Sequence, residues 1–249
     1  MLVMLFDLGG VLVDTSRAVA EGYRRGFAAS GMEFEFTAEQ ILHLRGIGRY
    51  NSHMEAIRAL VAISSSGSRI DGILSQANAE NILDTLIENE LSDSEERKAA
   101  AIEAAFRAFN DSIEVSAYML AFPGAREGLE RFRSAGVRLG VVSNADRRRV
   151  TVLLNALGNP SFDVVLSSDD VESKPSGDGI LRAMRTLSAD SRRTYYVGDS
   201  VKDVQAARQA GCKSVIILTG HGTRDQISRE GPDLVFESFA EMAAYFLKT

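Results

Sequence analysis

From Arg126 onward, short apolar runs alternate with amphipathic helical stretches, an order that a parallel sheet accommodates and few other folds do. Residues 138–142, 162–166, 194–197 and 214–218 read as strands, and 150–157, 179–187, 203–210 and 239–247 carry helical periodicity. Connections of this kind are right-handed almost without exception. One more apolar run, residues 1–6, opens the chain and ends in Asp7, just ahead of Gly9 and Gly10. A strand that delivers one carboxylate into a glycine turn presents that group at the C-terminal edge of a parallel sheet. The expected fold class is α/β, a Rossmann-like parallel sheet covered by helices on both faces.

The stretch between Asp14 and Phe122 breaks the rhythm. Residues 15–30, 37–44, 52–63, 69–91 and 95–109 read as helical or mostly helical, and no convincing strand lies among them. Thr37 with Gln40 has the spacing of a capping box, and Ser92 with Glu95 marks another helix start. Pro123-Gly124 signals the return to the sheet. The expected organisation is an α/β core domain made of 1–14 and 122–249, with an all-helical domain inserted at 15–121.

Charge narrows the partners. With 34 acidic against 28 basic residues the formal net charge is -6, so broad attraction to nucleic acid or an anionic membrane is not expected. Any anion must be captured by a local site. No apolar stretch approaches the ~20 residues needed to cross a bilayer. Asp7 arrives before an apolar leader could form, so no secretory leader is expected. The lone Cys212 rules out an internal disulfide and fits a reducing, cytoplasmic compartment.

Several polar residues follow the strand runs as Asp7 does. Ser143 and Asn144 come just past one strand at the start of a helix, where backbone N–H groups suit an anion, or where Asn144 or Asp146 simply caps the helix. Lys174 precedes Pro175 on a loop, where its ammonium either neutralises a carboxylate or phosphate at the sheet edge or is plain solvated surface. Asp199 and Asp203 lie on one strand-to-helix turn, Gly198-Asp199-Ser200-Val201-Lys202-Asp203. With Asp7 they form an all-oxygen set of the kind a hard cation such as Mg²⁺ prefers. Three carboxylates without a balancing charge would repel one another, so a metal or Lys174 must offset them.

As a set these segments resemble the haloacid dehalogenase-like hydrolase superfamily across essentially the whole chain. The four motifs are residues 6–14 around Asp7, Val142-Ser143-Asn144, Lys174-Pro175, and residues 198–203. The inserted helices resemble the family's cap, as in phosphoglycolate phosphatases and beta-phosphoglucomutases. The resemblance implies a Mg²⁺-dependent phosphatase acting on a small phosphorylated metabolite through an aspartyl-phosphate, as a monomer or homodimer. It implies that Asp7 attacks phosphorus and that Ser143, Asn144 and Lys174 bind the phosphoryl group. Asp7, the Gly9 carbonyl, Asp199 and Asp203 would hold the metal, Asp203 directly or through a water.

One position departs from that pattern. Phosphatases of the family usually carry a second Asp two residues after the nucleophile as general acid and base, and here that position is Gly9. Three readings follow: a phosphatase slowed by the missing group, a non-catalytic phosphate or phosphometabolite binder, or a hydrolase resembling the dehalogenases or phosphonatases, which also lack that Asp. Metal-independent dehalogenation would not require Asp199, and a phosphonatase needs a cap lysine, for which only Lys98 is present. In the helical insert, Gly46-Ile47-Gly48-Arg49 resembles the family's substrate-reading loop, with Arg49 the candidate contact to an anionic substrate. Gly220-His221-Gly222 lacks the third glycine of a dinucleotide fingerprint and reads as a plain loop or a weak anion site. His43, His53 and His221 have no metal-ligand spacing.

Overall fold

Alternate side chains of the first strand are buried in opposite directions, and that requirement organises the α/β unit. The structure, a computed structural model, describes residues 1–247. Its strands are β1 (Val3–Phe6), β2 (Val13–Asp14), β3 (Leu120–Ala121), β4 (Arg138–Val142), β5 (Val164–Leu166), β6 (Thr194–Gly198), β7 (Lys213–Ile217) and β8 (Leu234–Phe236). Six of them form a sheet of order β5-β4-β1-β6-β7-β8, parallel throughout. All four residues of β1 are buried, as a strand covered on both faces requires. Val3 and Leu5 pack with Tyr196, Ile180 and Ala206 on the side of helices Asp178–Leu187 and Val201–Ala210. Phe6 faces the other way, toward Phe239 of helix Phe239–Phe246, with ring centroids 6.0 Å apart. Each such fully buried large side chain contributes about 1.5–3 kcal/mol.

The chain winds from β4 to β5 on one side of β1 and from β6 through β8 on the other, so the order reverses at β1. Ligands of open α/β sheets bind at such a reversal, beyond the strand C-termini. Phe6 lies opposite both Val141 and Val197, which brings Asp7, Ser143 and Asp199 out at one edge.

The chain divides into this unit, Met1–Asp14 with the chain from Met119 onward, and a helical unit, Thr15–Tyr118. Residues 119–121 belong with the sheet unit because Leu120 and Ala121 pair antiparallel with Asp14 and Val13. The helical unit contains helices Ser16–Ala29, Ala38–Arg45, His53–Ser66, Ile70–Leu74, Ala79–Glu90 and Asp93–Asn110. At Thr37 both capping-box bonds form: Gln40 N–H donates to Thr37 Oγ1 at 3.1 Å and Thr37 N–H to Gln40 Oε1 at 2.7 Å. The single helical run expected over 69–91 is two helices. After Leu74 the Gln76 side-chain Nε2 donates back to the Gly72 carbonyl at 2.7 Å, and Ser75 and Asn78 are residues whose side chains compete with helical bonding. Tyr23, Phe27, Leu60 and Ile102 are fully or almost fully buried in this unit's own core. Among the described residues no helix is long and apolar enough to cross a membrane.

Candidate active site

Lys174 is the hub of the sheet edge. Its ammonium lies 2.8 Å from Asp7 Oδ2, 2.8 Å from Asp203 Oδ1 and 2.8 Å from the Tyr196 phenol, with only 4% of the side chain exposed. The loop that carries Lys174 is fastened by Asn144, whose carboxamide accepts from Lys174 N–H at 2.7 Å and donates to Lys174 C=O at 3.1 Å. The Asn144 carboxamide thus fixes the backbone of the Lys174 loop beside the site. Ser143 is buried at the end of β4, and its Oγ accepts from Ala145 N–H at 3.3 Å.

Asp203 is equally committed. Its Oδ2 accepts from Asp199 N–H at 3.2 Å, Ser200 N–H at 3.0 Å and Ser200 Oγ at 2.6 Å. Its Oδ1 takes Lys174 at 2.8 Å, with the Tyr196 hydroxyl oxygen 3.4 Å away. The four donors, Asp199 N–H, Ser200 N–H, Ser200 Oγ and Lys174 Nζ, fill the roughly four lone-pair sites of a carboxylate. Asp203 also forms the capping box of helix Val201–Ala210 with Ser200, so the helix start and the site share one carboxylate.

The third carboxylate is held differently. Asp199 is buried, and its Oδ2 accepts the His221 N–H at 3.3 Å, with His221 Nδ1 at 3.4 Å. Two glycine turns close around it. A Cβ on Gly10, whose φ is +80°, would lie 2.7 Å from Asp199, and one on Gly220 would lie 1.7 Å from Asp199 Oδ2. Thr219 Oγ1 donates to the Gly10 carbonyl at 2.6 Å and ties the two turns together. The Gly220-His221-Gly222 segment thus cradles a carboxylate, where sequence reading gave it a loop or anion-binding role.

Charge does not balance here. One carboxylate oxygen from each of Asp7, Asp199 and Asp203 lies within 4.8 Å of the others, the only such grouping of possible metal ligands among the described residues. Burial alone would strip the proton from Lys174, but the Asp203 and Asp7 carboxylates outweigh it and hold the ammonium well above its ordinary range. Asp203 is pushed up by burial, yet Lys174 and the Ser200 hydroxyl bring it below the usual carboxylate value. Asp7 goes the other way: burial, with Asp203 and Asp199 nearby, raises it despite Lys174. One cation shared among three carboxylates leaves surplus negative charge on an all-oxygen donor set, which suits a hard divalent ion.

The remaining sequence candidates lie elsewhere or are inert. Gly9 forms a bridge with Val13 and offers no side chain beside Asp7. Arg49 belongs to the helical unit, in the turn Gly48–Asn51, and is 53% exposed while paired to Asp84 at 2.9 Å. Tyr50 donates to the same Asp84 oxygen at 2.6 Å. His53 pairs with Tyr23 at 2.8 Å, and burial lifts the Cys212 thiol to about 12, which leaves it unreactive. Sequence reasoning missed Tyr196 and Thr219, and singled out Gly220 only as part of a loop or weak anion site. For Gly220 the glycine pair after a strand was a usable signal; Tyr196 looks like any strand aromatic.

The family model for haloacid dehalogenase-like hydrolase matches residues 1–211. The probable phosphatase IndB of Dickeya dadantii (strain 3937) is 29% identical over 242 residues, covering 96% of this chain and 91% of its own. A phosphoglycolate phosphatase from Escherichia coli (strain K12) is 33% identical over 123 residues, 49% of each chain. Among solved structures, CbbY from Rhodobacter sphaeroides in complex with phosphate superposes with a TM-score of 0.62 at 22% identity, covering 97% of this chain and 96% of that one.

Proposed function

Because this chain belongs to the haloacid dehalogenase-like hydrolase family, we propose that it is a phosphatase that hydrolyses the monoester of a small phosphorylated metabolite through Asp7. The observation that carries the reading is the Asp7 carboxylate, 16% exposed, with Lys174 at 2.8 Å. In the first step an Asp7 oxygen bonds to phosphorus, the ester P–O bond breaks, and the leaving alkoxide takes its proton from solvent. In the second, water attacks the aspartyl-phosphate, releasing phosphate and restoring the carboxylate. Lys174 holds positive charge beside the reacting oxygens throughout, and the Ser143 hydroxyl donates to a phosphoryl oxygen.

The donor set fits Mg²⁺. When bound, the ion supplies positive charge against the phosphoryl oxygens and the carboxylates. Asp7, the Gly9 carbonyl and Asp199 would hold it. Asp203, its oxygens already occupied, serves by fixing Lys174 and the turn at Asp199 rather than as a direct ligand. Gly220→Ala is expected to weaken Mg²⁺ binding by about 10- to 100-fold in calorimetric titration, because the added methyl displaces Asp199. Unchanged affinity would remove the Gly220 turn from the site.

A Mg²⁺-dependent assay on p-nitrophenyl phosphate, with a panel of phosphometabolites, tests the activity. Gly9 favours a second reading, a phosphate-binding protein without turnover. Phosphate binding with no hydrolysis even of the activated aryl ester would establish that reading and overturn the first.

Substrate choice is assigned to the helical unit. Arg49, exposed and held by Asp84, is the residue proposed to meet the substrate's anionic or polar end. Arg49→Ala is expected to raise KM for the natural ester by about 10-fold or more, the loss of one charged hydrogen bond, with little change for p-nitrophenyl phosphate. Equal effects on both esters would exclude Arg49 from specificity.

A further inference from the structure

We propose that Tyr196 is a positioning residue that sets the Lys174 ammonium between Asp7 and Asp203. An ammonium has three N–H donors and no acceptor. Here the three are matched one to one, by Asp7 Oδ2, Asp203 Oδ1 and Tyr196 Oη, each at 2.8 Å. The phenol in turn donates its own hydrogen to the Val142 carbonyl at 2.9 Å. Tyr196 lies on β6 opposite Leu5 of β1, while Val142 ends β4 on the far side of β1. Its ring is 1% exposed and fills the core between Leu5, Val142 and Ala206. One buried hydroxyl therefore links the strand that presents Ser143, the loop that presents Lys174 and the turn that presents Asp203.

The two carboxylates alone define a line for the ammonium, not a point. The phenol supplies the third direction. Without it, one N–H of Lys174 and the Val142 carbonyl are buried without partners, and Lys174 relaxes away from Asp7 or draws in water. A phenylalanine keeps the ring's packing and removes only this link, so a residue that merely filled the core would tolerate the change.

The kinetic arm of the test rests on the phosphatase reading; the spectroscopic arm does not. The chain has five lysines, and ¹⁵N-lysine labelling makes their ammonium signals separable by NMR. A slowly exchanging signal, assigned by its loss in Lys174→Met, is expected in the unmutated protein and is expected to vanish or broaden in Tyr196→Phe. In the same variant kcat on p-nitrophenyl phosphate with Mg²⁺ is expected to fall about 10- to 100-fold with little change in KM. Should Tyr196→Phe fail to fold, 3-fluorotyrosine at position 196 is expected to shift the Lys174 signal in a folded protein. An unchanged Lys174 signal in either variant, or a lost signal with unchanged kcat, overturns the proposal. Absence of turnover in the unmutated chain would instead count against the phosphatase reading, and the Lys174 signal would still decide whether Tyr196 holds the ammonium.

Discussion

Gly9→Asp is expected to raise phosphatase turnover by about 10²–10⁴-fold, the usual worth of a positioned general acid–base, equivalent to roughly 3–5 kcal/mol of barrier. The proposed chemistry needs a proton twice: once for the leaving oxygen, and again, in reverse, when water attacks the aspartyl-phosphate. Gly9 can serve neither event. Backbone geometry does not oppose the change, since Gly10 lies in the left-handed region at φ +80° and Gly9 does not. The gain should depend on the leaving group. A nitrophenolate departs without a proton and benefits only in the second step, whereas an alkyl ester benefits in both. Steady-state kinetics on p-nitrophenyl phosphate and on an alkyl phosphate therefore give a signature: a large gain for the alkyl ester and a smaller one for the aryl. No gain on either would mean that proton transfer does not limit this site, and that Gly9 is not where the rate is lost.

Much of this geometry was readable from residue order, and the exceptions have physical causes. Asp7, Ser143, Lys174 and Asp199 were legible because each follows a strand of a parallel sheet, and the C-terminal ends of such strands meet at one edge. The two-residue strands Val13–Asp14 and Leu120–Ala121 are too short for any periodicity to announce them. Leu234–Phe236 escaped notice as a three-residue edge strand between Asp233 and Glu237, with Val235 partly exposed. Asn144 was legible as a polar group beside the site, but an amide gives no hint from sequence that it will clamp the backbone of Lys174, thirty residues away. Tyr196 was hidden for a related reason. Its ring obeys the pattern of a core strand, and the role proposed for its hydroxyl depends on three acceptors converging on one ammonium. The distinction between Asp199 and Asp203 was equally inaccessible: the motif supplies two carboxylates, and only the hydrogen-bond inventory shows that one is occupied and the other cradled by glycines.

Asp7→Asn is expected to lower turnover by about 10⁴-fold or more while leaving the fold and phosphate binding in place, as removal of a covalent nucleophile does. Asparagine has the same shape, so Leu8 N–H, which donates to Asp7 Oδ1 at 2.8 Å, keeps an acceptor. Lys174 keeps Asp203 as its ionic partner at 2.8 Å and the Tyr196 phenol at 2.8 Å, and so remains charged, although the amide nitrogen facing it no longer accepts its third N–H. What the amide cannot do is form an acyl phosphate. The substitution also removes one of three carboxylates, so Mg²⁺ affinity should fall while inorganic phosphate, itself an anion, should bind as well or better. This pairing separates the nucleophile from the metal ligand. A residue that only bound Mg²⁺ would lose turnover in proportion to metal occupancy and recover it at saturating Mg²⁺; a nucleophile would not. Rapid quenching of the unmutated protein with a slowly turned-over ester, followed by borohydride reduction and peptide mass spectrometry, should place the modification on Asp7. Turnover restored by high Mg²⁺ in Asp7→Asn, or a label on any other residue, would sink the covalent mechanism.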